Sequence, residues 1–304
     1  MSTHPKILVI AEPDYEPTVV VGRAVWIAKL MNFDIHLLLV DPIVNPFPAS
    51  LFDLDRAGEL ERQMIQLQQE LADDLASKAR DQGVAVTTEI LHERPIAEAI
   101  LMRVDDIEPE FVMKGTQYHS GAERSLLVDT DWQLVRACAC PLWLVKDSQF
   151  ETAPVIVAAV DPTHSHDKPA LLDDKIIQKS KSIADLLDGE LHLFHSYERM
   201  TELGTQAMRR IKPVKLEIEK IDKKIQKAHR DALDELAERN AIANDYVHQL
   251  PGRTRELLPT FVRSKNAQLV VMGALSRWGI KRMVIGSTAE RVMDHLPCDI
   301  LIVK

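Results

Sequence analysis

DWQLVRACACPLWLVK, residues 131–146, and AERVMDHLPCDILIVK, residues 289–304, are two versions of one unit. Each runs from a helical stretch through an adjacent cysteine and proline into an apolar strand closed by a lysine, Lys146 or Lys304. The beginnings agree as well: KILVIAEP (6–13) matches VIVAAVDP (155–162). Just before the closing helix, FVMKGT (111–116) matches VVMGAL (270–275) with a one-residue shift. Matching starts, middles and ends in the same order indicate a duplicated domain of about 150 residues. The polar stretch KDSQFETAP (146–154) ends in proline and is the expected boundary, giving domains at 1–148 and 152–304.

Within the first half, the short aliphatic run Ile7–Ala11 reads as a strand buried on both faces. A helix over Pro17–Met31 and a strand over Ile35–Val40 follow. Leu60, Met64, Leu67, Leu71 and Leu75 recur at spacings of three and four, an amphipathic helix that Gly83 ends. Ala85–Leu91, Phe111–Lys114 and Leu142–Val145 read as strands, with helices over Pro95–Val104 and roughly 130–138 between them. The second half repeats this with strands at Val155–Val160, Leu191–Phe194, Tyr246–Gln249, Leu269–Met272 and Ile300–Val303. Its long helix, from Val214 to about Ile242, holds Val214, Ile218, Ile221, Ile225, Ala228, Ala232 and Leu236 on one face and alternating lysines and acids on the other, a solvated surface. Strands alternating with crossover helices predict two α/β domains, each a doubly wound, Rossmann-like, five-stranded parallel sheet. Ligands of such sheets sit beyond the carboxyl ends of the strands.

Composition narrows the function. Of 304 residues, 46% are hydrophobic and 27% charged, the balance of a soluble globular protein. The formal charge of −9 repels nucleic acid, and no basic stripe overrides it. No run of apolar residues is long enough to span a membrane, and the run after MSTHPK is too short for a signal peptide. Three cysteines, Cys138, Cys140 and Cys298, form no paired framework and fit a reducing cytoplasm.

GALSRWGIKRMVIGST, residues 273–288, places small residues after a strand and hydroxyls where a helix begins, the chemistry of an anion cradle. Together with the duplication and the strand order, it makes the chain resemble a tandem universal stress protein over nearly its whole length. That family's nucleotide-binding members, whose fold is adenine nucleotide alpha hydrolase-like, carry a loop with one glycine, a second after two residues, and a third nine residues later followed by Ser or Thr. They also carry an acid at the end of the first strand. The resemblance implies that the loop holds the phosphates and ribose of ATP and that the acid faces the base or sugar. Residue by residue, the second half keeps Gly273, Gly286 and Ser287, with Thr288 beside them and Asp161 in the acid's place. It departs at the second glycine, which is Ser276. If that position needs positive φ, the serine costs roughly 1 kcal/mol or more; if not, its hydroxyl can donate to a phosphate. The first half keeps Gly115, but Tyr118 replaces the second glycine, and Val128 and Asp129 stand where Gly286 and Ser287 stand. A valine blocks backbone approach and a carboxylate repels phosphate, so this half, with Glu12 as its early acid, is not expected to bind ATP; Asp129 or Thr130 caps the helix instead.

Other constellations are weaker. His164 and His166, with Asp167, form a polar loop whose two imidazoles suit zinc only if a third ligand such as Asp161, His195 or Cys298 converges. His192 and His195 lie three apart on a strand and so face opposite sides. Cys138 and Cys140 read as structural thiols at a helix end. Arg277, Lys281 and Arg282 can neutralise a phosphate or an acidic partner, or simply face solvent, and Trp278 can stack on a base. The resemblance implies a bacterial cytoplasmic protein of stress survival, paired internally as a pseudo-dimer through its two last strands and open to homodimerisation. Its second half is expected to bind ATP or another phosphorylated small molecule. No group is arranged as a water-activating base, so the expected role is regulatory rather than enzymatic. The alternatives are a protein-binding scaffold with both pockets vestigial, and a weak metal-dependent ATPase using Asp161 and the His164/His166 loop.

Overall fold

Ile7, Leu8, Val9, Ile10 and Ala11 are all at most 1% exposed, which is why the stretch carries no alternation of polar and apolar residues. The computed structural model describes residues 4–13, 17–41, 54–116, 130–146, 148, 150, 152–163, 171–199, 218–273 and 292–304. The chain splits into two units, Met1–Asp147 and Ser148–Lys304.

In the first unit, strands β1 (Lys6–Ala11), β2 (Asp34–Val40), β3 (Val86–Leu91), β4 (Phe111–Gly115) and β5 (Leu142–Val145) alternate with helices α1 (Pro17–Met31), α2 (Leu54–Arg80), α3 (Ile96–Ile107) and α4 (Thr130–Ala137). The strands run in the order β3-β2-β1-β4-β5, and every pairing is parallel. Helices α1 and α3 both pack on β1, so the central strand is sealed from water. One expectation shifts in α2. Its inward stripe runs through Gln68, Ala72, Leu75, Ala76 and Ala79, leaving Leu67 64% exposed. Residue 68 falls on the same face as 64, 72, 75 and 79 at helical spacing, whereas 67 is rotated toward solvent.

The second unit repeats the pattern with β6 (Val155–Ala159), α5 (Leu172–Leu187), β7 (Glu190–Tyr197), α6 (Ile218–Arg239), β8 (Val247–Pro251), α7 (Thr254–Lys265), β9 (Leu269–Gly273) and β10 (Asp299–Val303), in the order β10-β9-β6-β7-β8. All its pairings are parallel too. Residues 292–295, just before β10, are helical. The long helix begins its described part at Ile218, and residues 214–217 lie outside the described residues. Its inner face passes through Ile225, His229, Leu233, Leu236 and Ala237; Ala228, expected inside, is exposed.

Register makes the two units comparable position by position. Ile10 pairs with Leu38 and Lys114, and Ala159 pairs with Phe194 and Met272. Lys114 therefore corresponds to Met272, Gly115 to Gly273, Glu12 to Asp161, and Leu39 to His195.

Candidate functional site

Ligands of doubly wound sheets bind beyond the carboxyl ends of the central strands, and the two units fill that position differently. In the first unit, Lys114 at the end of β4 points into the protein with its side chain 4% exposed. Its ammonium donates to Glu12 Oε2 at 2.5 Å, just past β1, and lies 2.8 Å from Asp131 Oδ1 in the first turn of α4. It also donates to the Gly115 carbonyl at 3.3 Å. Burial alone would pull the lysine pKa down, but the charges and hydrogen bonds of Asp131 and Glu12 outweigh it and hold the pKa above its ordinary value. The helix start that would greet an anion is thus supplied with the protein's own carboxylate, and that carboxylate with the protein's own cation. Lys114, within FVMKGT, has no role in the sequence expectations above. The available signal was a lysine in the last turn of an apolar strand, next to a strand ending in an acid. Tyr118, Val128 and Asp129 lie outside the described residues.

In the second unit, Met272 occupies the lysine's register position, so no cation enters from β9. Asp161, just past β6, accepts a hydrogen bond from Thr163 Oγ1 at 2.9 Å on its Oδ1. Its backbone N–H donates at 3.1 Å to Oδ1 of Asp173, which is 1% exposed in the first turn of α5. His195, 2% exposed on β7, sits 3.0 Å from the Val160 carbonyl through Nδ1 and 2.8 Å from His229 Nδ1 through Nε2. The two imidazoles are nearly parallel, 19° apart with centroids 5.0 Å apart, and meet edge to edge through that contact, while the Tyr197 ring centroid lies 5.3 Å from that of His229. Burial lowers both histidine pKa values; the Val160 hydrogen bond and the charge of Asp161 oppose the shift at His195, and Asp161 opposes it at His229. Asp173 and His229 were absent from the sequence assignment. Asp173 was one acid among many, and His229 was hidden by placing Ala228 on the inner face.

Gly273 ends β9 as expected, and its surroundings give it a packing reason. A Cβ there would lie 2.7 Å from Leu172 Cδ2 and 3.1 Å from Leu172 Cγ, because the first turn of α5 presses on the end of β9. Ser276, Gly286, Ser287 and Thr288 lie outside the described residues, as do His164, His166, Asp167, Arg277, Trp278, Lys281 and Arg282.

The sequence profile of the universal stress protein family matches residues 4–146 and again 154–304, one match to each unit. The chain belongs to the universal stress protein family. It is 25% identical to universal stress protein E of Escherichia coli K12, over 100% of this chain and 95% of that protein. It is 22% identical to the universal stress protein E homolog of Haemophilus influenzae, over 98% of this chain and 96% of that protein. Among solved structures, a functionally unknown protein from Pseudomonas aeruginosa PAO1 aligns with a TM-score of 0.72 at 23% identity, covering 99% of this chain and 93% of that one. A universal stress protein from Archaeoglobus fulgidus aligns with a TM-score of 0.62 at 17% identity, covering 98% and 96%. These structural likenesses establish the fold of a tandem universal stress protein.

Other groups among the described residues of this universal stress protein have partners of their own. His192 packs on the face of α7, 2.9 Å from His248 Nε2 and 2.5 Å from Glu190 Oε1, while His195 meets α6, so the pair does face opposite sides of the sheet. Cys138 is buried and Cys140 half-buried; their sulfurs lie 3.6 Å apart as free thiols. Trp143 is 1% exposed against Phe111, a core residue. Among the described residues no group of three or more His, Cys, Asp or Glu is arranged to hold a metal ion, and no helix is long and apolar enough to cross a membrane.

Proposed function

We propose that this universal stress protein is a stress-response regulator whose second unit binds ATP or another phosphorylated small molecule, with the first unit retained as structure. The contrast at one register position carries this reading. Where the first unit closes its strand ends with Lys114, Glu12 and Asp131, the second has the neutral Met272 and leaves Asp161 among hydrogen-bonding groups. By family resemblance Gly273 and the segment with Ser276, Gly286, Ser287 and Thr288 take the phosphates, and Asp161 the base or sugar. The three cysteines, all free thiols, agree with a cytoplasmic setting. By the same family resemblance the role is regulatory rather than hydrolytic.

Isothermal titration of the full chain with ATP, with and without Mg²⁺, tests this. Heat of binding at micromolar ligand with no phosphate release supports the reading. Absence of heat returns the chain to a protein-binding scaffold, and phosphate release makes it an ATPase.

A further inference from the structure

The hydrogen bonds of His195 and His229 decide where their protons are. A carbonyl oxygen only accepts, so the 3.0 Å contact with Val160 requires the proton on His195 Nδ1. Burial keeps that ring neutral at pH 7, which leaves its Nε2 as a lone pair. The 2.8 Å contact of this nitrogen with His229 Nδ1 then requires the second proton on His229 Nδ1. In the neutral His229 ring the lone pair must be on Nε2. A backbone carbonyl thus fixes the tautomer of a ring it does not touch.

His229 is half-buried, tied through Nδ1 to His195 and packed against Tyr197, so its acceptor is held in direction at little entropic cost. Among the described residues nothing hydrogen-bonds to its Nε2. The surrounding groups reinforce its preference. Asp161 lies close enough for its charge to act on both rings, and Asp173 acts on His195. A phosphate oxygen meeting this wall would face carboxylates and a lone pair; a hydroxyl would find an acceptor ready. The first unit has Leu39 at the register position of His195 and cannot build the relay.

We propose that His229 Nε2 accepts a hydrogen bond from a sugar hydroxyl of the ligand in the second unit, so that the Asp161–His229 wall reads the uncharged part of a phosphorylated ligand and leaves the phosphate to donors elsewhere. This rests on the second unit being a small-molecule site.

The test is histidine ring ¹⁵N spectroscopy of the full chain at neutral pH, followed by addition of ATP or of D-ribose, with titration of ATP and 2′,3′-dideoxy-ATP into wild type and His229→Phe. The free protein should show His195 and His229 protonated at Nδ1, and the His229 Nε2 signal should move on adding ATP. His229→Phe should weaken ATP about tenfold and dideoxy-ATP by less than about twofold. A His229 protonated at Nε2 overturns the proposal whatever the ligand, and needs no variant to fold. ATP binding with an unmoved Nε2 signal, or with equal losses for both nucleotides, overturns the proposal and spares the nucleotide reading. Movement with ribose and not with ATP upholds the proposal and removes the nucleotide reading. No movement with either overturns it.

Discussion

A single side chain separates the two strand ends. Lys114 is sealed with its ammonium between Glu12 and Asp131, and breaking such a group is costlier than never having built it, because the orphaned carboxylates stay where water cannot reach them well. Lys114→Met, which copies Met272 of the other unit, should therefore destabilise the first unit by about 3–5 kcal/mol. Adding Glu12→Gln and Asp131→Asn should return most of that loss. Urea unfolding of the single and triple variants checks it, and equal stability of the two would rule out the triad as the cause. The residue scale is also where the sequence was least readable. Glu12 and Asp161 were legible because an acid after an apolar run stands out. Asp131 and Asp173 were not, since helix-starting acids are common and only tertiary folding shows which of them turn inward. Gly273 was read as room for a phosphate, yet the atom its missing Cβ would strike belongs to Leu172, a contact no local pattern encodes.

Whole elements were more legible, because burial on both faces writes itself as unbroken aliphatic runs. The exception is β7, read as Leu191–Phe194 and observed as Glu190–Tyr197. Its extra length carries His195 and Ser196, which look like strand breakers but have partners: His195 with Val160, Ser196 with Thr254 at 2.7 Å. Helix endings repeat between units without repeating in residue type. Asn32 and Asp188 follow α1 and α5, Glu108 and Asn266 follow α3 and α7, all with φ between 48° and 54°. The left-handed conformation disfavours a Cβ, so Glu108, exposed and, among the described residues, bonded only through its backbone N–H to the Val104 carbonyl, gains nothing from its side chain. Glu108→Gly should stabilise the first unit by about 0.5–1 kcal/mol, the strain relieved less the added chain entropy. Glu98→Gly, inside the same helix, should cost about 1 kcal/mol. Chemical denaturation of both variants reads the sign, and a loss at Glu108 would show that the left-handed cap carries no strain.

Across the molecule the two units differ in how they bury histidine, and this gives them different responses to acid. In the described residues of the second unit, burial is the leading cause that holds His192, His195, His229 and His248 below the ordinary histidine pKa, with His248 pushed down to about 4. His36 alone is so placed in the described part of the first, and there Glu89 opposes the shift. A histidine whose folded pKa lies below its unfolded value near 6.5 leaves stability intact above that pH. As the pH falls, the unfolded chain takes up the proton first, and stability drains away until the folded ring protonates as well. The window therefore runs from about pH 6.5 down to about 4 for His248. The carboxylates held low, Glu93 and Asp174, start from values of 4.5 and 3.8 and titrate beneath most of that window. Acidification from pH 7 to 5 should thus lower the melting temperature of the second unit by on the order of 5 °C or more and that of the first by less. Scanning calorimetry at the two pH values measures this, with the first unit's transition identified as the one Lys114→Met moves. A second unit whose transition stays put between the two pH values would mean that the imidazoles packed around β7 and β8 find their protons as easily folded as unfolded, and the neutral relay from Val160 through His195 to His229 would lose its energetic basis along with them.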